Sequence, residues 1–289
     1  MQLEKFVQAL VSGILTGGVY ALVAVGLTLV FGVMNIVNFA HGDFLMLGMY
    51  ISYWLFVLLG LHPYVSMFAS VIVLFFLGMG VQRYFIEHVR AMDDQSVLLL
   101  TFGMSMFLEN MAVFLWTPDY RSIQVNWLSG TVFIYDIMVS IPKLMAFIFS
   151  IVLTFLLYLF LKKSQTGKSI RAVSDQLEGA RSVGINVRKV SQITFGIGAA
   201  CVAAAGSIIT PFFYTAPSVG FVFLLTAFIV VVIGGMGNFW GAFFGGIIVA
   251  LGESLGATYL PGSLQYLAMY LIFIVVLLFR PQGVFGKRA

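Results

Sequence analysis

The sequence predicts an all-α, polytopic integral membrane bundle of about eight or nine spanning segments, with two Gly-rich broken or re-entrant regions. Three observations carry this. Of the 289 residues, 61% are hydrophobic and 9% are charged, where a soluble domain carries roughly 25% charged residues. Mean hydropathy is +1.05. The 29 Phe and 14 Met exceed what a solvated fold can bury, so most of the chain must face lipid or other apolar segments. At about 20 residues per span, such a length leaves no space for a separate soluble domain. The chain therefore reads as a single transmembrane domain over residues 1–289, and any chemistry performed in water has to come from a partner chain.

The apolar segments follow in order. Ala9 to Val33 is longer than the apolar part of a signal peptide and Glu4 offsets Lys5, so it reads as a retained first helix. Phe44 to Gly60, Tyr64 to Val81, Val97 to Trp116 and Leu144 to Leu161 come next, and four more begin near Ser191, Phe221, Gly241 and Leu264. Between Lys162 and Val190 lie seven of the 15 basic residues (Lys162, Lys163, Lys168, Arg171, Arg181, Arg188, Lys189) against Asp175 and Glu178. Lys and Arg accumulate in cytoplasmic loops, so this is the cytoplasmic loop, approximately 162–190. Orientation propagates from it. The stretch Gln82 to Ser96 and the tail with Arg280, Lys287 and Arg288 fall inside, whereas Thr117 to Pro142 and the N-terminus fall outside. The same topological bias accounts for the net charge of +4 without nucleic-acid binding.

Two apolar runs are interrupted alike, Leu29 to Gly48 and Val231 to Gly252, each by Gly and Asn. They suggest a diverged parallel repeat. The first break reads Asn35-Ile36-Val37-Asn38-Phe39-Ala40-His41-Gly42-Asp43. Polar groups at membrane depth pair or line a cavity, which makes Asn35, Asn38, His41 and Asp43 candidates for a solute pathway; the alternative is a capped turn between helices. Glu109 and Glu253, isolated carboxylates within predicted spans, join them as intramembrane acids, against the alternative of an interhelical hydrogen bond. Gly237, Gly241 and Gly245 are spaced for close helix packing.

Enzyme chemistry finds no support. His41 and Asp43 have no second ligand cluster, so no metal site is expected. Gly167-Lys168-Ser169 lacks the first glycine of a phosphate loop, because Lys162 occupies that position. There is no Gly-x-Ser-x-Gly elbow, no His-Glu-x-x-His helix and no paired carboxylate set, and no cofactor is expected in this chain. The single Cys201 lies in an apolar run.

Glu178-Gly179-Ala180-Arg181-Ser182-Val183-Gly184 resembles the Glu-Ala-Ala-x-x-x-Gly coupling loop of ABC-importer permeases, with Gly179 for the first alanine and without their Ile-x-Leu-Pro ending. Further pieces occur in family order: Gly17-Gly18-Val19-Tyr20-Ala21-Leu22, Gly26 to Gly32, Asn38-Phe39-Ala40-His41-Gly42-Asp43, Gly234-Gly235-Met236-Gly237 and Arg280 to Gly286. Together these resemble the Liv-type (LivH-like) branched-chain amino-acid permease family over essentially the whole chain.

The resemblance implies one permease subunit of a bacterial or archaeal inner-membrane importer. Its partners would be a second related permease subunit, two cytoplasmic ATPase subunits using ATP and Mg, and an extracytoplasmic solute-binding protein. It leans toward amino acids over the urea or short amides of related permeases. A stand-alone channel or secondary carrier is the other class, and would need no docking loop at Glu178. Under the family reading, Gly179 to Ile185 forms a short coupling helix, with Glu178, Gly179, Ala180, Arg181, Gly184 and Ile185 at the ATPase contact. Tyr120, Arg121 and Trp127 would meet the binding protein, the alternative being an aromatic belt at the headgroups. The pathway itself should be lined by apolar and small side chains near the two breaks, without a deep, highly charged pocket.

Overall fold

The computed structural model describes residues 2–90, 93–123, 130–134 and 137–286. Its helices are α1 (Gln2–Met34), α2 (His41–Leu59), α3 (Pro63–Val81), α4 (Glu87–Arg90), α5 (Asp94–Trp116), α6 (Ile141–Lys163), α7 (Gln165–Asp175), α8 (Leu177–Ser182), α9 (Val187–Ile209), α10 (Val219–Gly234), α11 (Phe239–Tyr259) and α12 (Gln265–Phe279). A π turn at Gln82–Ile86 joins α3 to α4. A two-stranded antiparallel hairpin, β1 (Thr131–Ile134) and β2 (Ile137–Ser140), precedes α6. Among the described residues seven helices are long and apolar enough to cross a membrane, and α10 and α12 are shorter apolar helices. Each falls on one of the nine apolar segments of the sequence. This is an all-α, multi-pass membrane bundle.

Small residues set the packing. α1 lies antiparallel to α11, and a Cβ on Gly17 would stand 2.8 Å from the Ile247 Cα, one on Gly246 2.5 Å from the Ala21 nitrogen. α9 packs between α2 and α3 by the same device, Gly78 facing Ala199 and Gly48 facing Ala203. Without water to drive helices together, such close backbone approach and interhelical hydrogen bonds supply the association. One buried polar knot joins three helices: the Ser207 hydroxyl reaches Ser70 Oγ at 2.9 Å, and both hydroxyls lie 3.3 Å from the Gly48 carbonyl. By contrast α5 and α6 leave most of their surface open, as lipid-facing helices do.

Contacts between elements place the termini. Gln8 exchanges two 2.8 Å hydrogen bonds with the Met138 backbone, so α1 begins on the face of the β hairpin. The C-terminal tail lies at the opposite face beside Asp175 of the basic loop. At that face Glu87 of α4 pairs with Arg188 and accepts from Gln192 of α9 at 3.3 Å. The basic loop, α4 and the tail thus share one face, and the start of α1 and the hairpin share the other.

Candidate translocation site

The first break reverses the chain against α1. Asn35 stands in the left-handed region at φ 52°, and its N–H donates to the Phe31 carbonyl at 2.7 Å, closing α1. The chain then climbs back along α1. Asn38 Oδ1 accepts from the Ala40 N–H at 3.1 Å, and the His41 Nε2–H donates to the Val23 carbonyl at 3.1 Å. Val23 lies eleven residues before the end of α1, about 16 Å at 1.5 Å per residue. α2 therefore starts alongside the middle of α1, and its first turn meets the first turn of α10, Gly42 against Gly220.

The pathway candidates divide by depth. Asn35 is exposed at a cavity of about 560 Å³, on the face of the basic loop, that also takes in Asp175, Asn238 and Gln282. Asn38 and His41 are each 1% exposed, and their side chains bond backbone. Asp43, also buried, lies beside Ser105 and within electrostatic reach of half-buried Glu109, both on α5. Glu253 is elsewhere: it accepts from the Tyr20 hydroxyl at 2.7 Å beside an outer cavity of about 210 Å³ that Lys143 also lines. Sequence reasoning passed over Tyr20 and Lys143. Lys143 sits at the edge of a loop in the sequence and Tyr20 in an apolar run, and only the packing of α1, α6 and α11 brings them to Glu253.

The second break is a tight glycine turn capped by the tail. Gly235 and Gly237 have φ of 93° and 78°, values open to glycine because it lacks a Cβ. Asn238 caps α11, its Oδ1 accepting from the Gly241 N–H at 3.0 Å while its Nδ2 donates to the Phe285 carbonyl at 2.6 Å. The Val284 N–H donates to the Ile233 carbonyl at 2.7 Å, and Gly283 packs on Gly235. The Arg280 to Gly286 stretch is thus a lid sealed over the Gly234 to Gly237 turn.

At the face of the basic loop, Ser164 caps α7 and the Arg171 Nε–H donates to the Leu161 carbonyl at 3.1 Å, holding α7 against the end of α6. The short helix expected over Gly179 to Ile185 instead spans Leu177–Ser182. The cause is Gly184, at φ 82°, where the Gly184 N–H bonds the Arg181 carbonyl and the Ile185 N–H the Ala180 carbonyl, a glycine C-cap that stops the helix. Ala180 is buried and anchors it, while Glu178 and Arg181 are exposed and 3.2 Å apart.

On the outer face Tyr120 is 72% exposed. Arg121 is not free to reach outward. Its backbone pairs with Thr215 in an antiparallel bridge, its guanidinium donates to the Trp116 carbonyl, and it lies 5.6 Å and 5.3 Å over the rings of Tyr53 and Trp54. Trp127 lies outside the described residues.

The family model for the branched-chain amino acid transport system / permease component matches residues 9–277. The chain belongs to that family. Among its relatives, the high-affinity branched-chain amino acid transport system permease protein BraD of Pseudomonas aeruginosa is 30% identical over 99% of this chain and 97% of its own. The LivH permease protein of Escherichia coli is 29% identical over 99% of this chain and 97% of its own. A probable branched-chain amino acid transport permease, LivH of Methanocaldococcus jannaschii, is 28% identical over 98% and 93%. No solved structure matches the chain. The match runs from the first turns of α1 to α12, so both breaks and the basic loop lie within the family's permease component.

Proposed function

We propose that this permease is the membrane-spanning subunit of a binding-protein-dependent ABC importer for branched-chain or other hydrophobic amino acids in a bacterial or archaeal inner membrane. ATP and Mg would be used by two cytoplasmic ATPase subunits, and a second related permease subunit would complete the pore. The observation that carries the reading is the family match across residues 9–277. The exposed α8 helix with its Gly184 stop supports it, since a carrier needs no such projection. In this reading Glu178, Arg181 and Gly184 form the exposed surface seated in an ATPase subunit, flanked by half-buried Gly179 and Ile185, while buried Ala180 holds α8 in place beneath them.

The solute route runs from the Glu253 cavity, past the Gly42–Gly220 contact, to the cytoplasmic cavity at Asn35. That contact is closed in this conformation, so Asn38, His41, Asp43 and Glu109 would act when the first turns of α2 and α10 separate. Tyr120 remains the exposed candidate for the binding protein, with Arg121 holding the chain beside it in shape, and Trp127 is a candidate from the sequence alone. The test is uptake of radiolabelled L-leucine into cells stripped of their own hydrophobic amino-acid importers. Uptake that requires this chain together with a hydrolysis-competent ATPase supports the reading. Uptake that persists with a hydrolysis-dead ATPase overturns it in favour of a channel or carrier, and competition by urea but not L-isoleucine would reassign the solute.

A further inference from the structure

The outer cavity at Glu253 holds one group of each charge in apolar surroundings. Lys143 enters from the first turn of α6, and Glu253 from α11. No ion pair joins them among the described residues: Lys143 reaches Ser12 Oγ at 3.4 Å, and Glu253 takes the Tyr20 hydroxyl on one of its two oxygens at 2.7 Å. The two groups lie within electrostatic reach of each other without closing into a direct pair, and ionisable groups within a membrane domain are costly and mark functional sites. Three phenylalanines, with Thr16, Val19 and Ile209, make the rest of the wall. Phe223 lies edge-on to both Tyr20 and Phe213, with ring centroids 6.1 Å and 5.4 Å away, and Phe212 stands beside them. At about 30 Å³ for each water, 210 Å³ holds roughly seven waters' worth of solute, the scale of one small amino acid.

We propose that this cavity is a zwitterion-recognition site, in which the Glu253 carboxylate takes the solute's ammonium group, Lys143 its carboxylate, and the Phe212, Phe213 and Phe223 wall its apolar side chain. The site deepens the importer reading and rests on it for the direction of travel. It lies on the outer side of the Gly42–Gly220 contact, where an incoming solute waits while the route below is shut. Its chemistry selects α-amino acids by their paired charges and apolar side chains by the aromatic wall. Urea and simple amides carry neither ion and would leave both side chains unmatched.

The experiment uses Thr16, which lines the same cavity. Thr16→Cys is placed in a Cys201→Ala background, removing the chain's other cysteine, and the full importer is expressed in spheroplasts from which the soluble binding protein has been washed. The readout is the rate of modification by a charged, membrane-impermeant methanethiosulfonate. L-Leucine and L-isoleucine should slow the reaction, whereas 4-methyl-2-oxopentanoate, lacking the ammonium, and isopentylamine, lacking the carboxylate, should not at equal concentration. Lys143→Met and Glu253→Gln should each raise the leucine concentration needed for protection by roughly tenfold to a hundredfold, the loss expected for one charge-assisted hydrogen bond. Lys143→Arg should retain protection, and an unaltered thermal midpoint in detergent shows that a variant is folded. Equal protection by all four compounds, protection by none, or protection indifferent to both charge-removing substitutions overturns the site. Leucine uptake without protection defeats this inference alone, and protection without ATPase-dependent uptake defeats only the importer reading.

Discussion

Gly42 and Gly220 touch backbone to backbone where α2 and α10 begin: a Cβ on Gly42 would stand 1.9 Å from the Gly220 carbonyl oxygen, and one on Gly220 3.0 Å from that of Gly42. Neither backbone can yield as a flexible side chain would. Gly42→Ala should therefore destabilise the permease by about 3 kcal/mol, read as a lower thermal midpoint in detergent. Gly103→Ala on α5, where nothing lies within 4 Å, should stay within about 0.5 kcal/mol of the parent. Equal midpoints for the two variants would refute the closed contact.

Gly184 separates local geometry from packing, because a Cβ there would meet nothing within 4 Å yet the φ is 82°. Gly184→Ala should cost about 1 kcal/mol through backbone strain alone, fraying the turn after α8 while the membrane helices melt as before. Coupled uptake should fall with basal ATP hydrolysis retained, and Gly184→Asn, which tolerates the left-handed region, should recover most of it. Full uptake in the alanine variant would show that this turn does not engage the ATPase.

Arg121 holds the outer loop through two rings and two backbone partners. Arg121→Lys keeps the charge but loses the planar guanidinium that stacks and donates in a fork. It should cost about 1 kcal/mol and raise protease sensitivity between Thr117 and Pro142. Unchanged cleavage in Arg121→Lys would argue that the loop is held by Thr215 alone.

His62 gives the fold a pH dependence at its outer face. Its Nδ1 accepts the Tyr64 N–H at 3.2 Å and caps α3, which requires the neutral ring. Burial lowers its pKa from 6.5, so in the range just below 6.5 the unfolded chain binds more protons than the folded one. Stability is then complete above that pH and falls as pH drops through it. His62→Asn, still able to cap, should flatten thermal midpoints measured between about pH 5 and pH 7. A slope identical to the parent's would assign the dependence to another group.

The helices were legible because hydropathy marks them, and each predicted apolar segment from Ala9 to the one near Leu264 became a helix, seven of them among the described residues long enough for a span. The start of α2 was not, since the climb from Asn35 to Ala40 depends on Val23 offering its carbonyl to His41. Nor was the sealing of the second turn by the tail, where Asn238 and Phe285 are far apart in sequence. In the candidate site, Glu253 stood out as an intramembrane acid, but its neighbours Tyr20 and Lys143 come from other helices and carry no local pattern. Arg121 read as an outward-facing charge because the rings it covers, Tyr53 and Trp54, belong to α2.

The antiparallel seating of α1 on α11 sets a schedule for biogenesis. α1 enters the bilayer first, yet the surface that Gly13, Gly17 and Ala21 present has its mate only when Gly246 to Leu251 have been made. At 5–20 residues per second, that is a wait of roughly ten to forty seconds. Throughout it a small-residue groove lies open to stray helices, including α1 of a neighbouring nascent copy. Fast overexpression should therefore fail by mispairing of first helices before it fails by any loss of hydrophobicity, and slowing translation ahead of α11 would lengthen the exposure rather than relieve it.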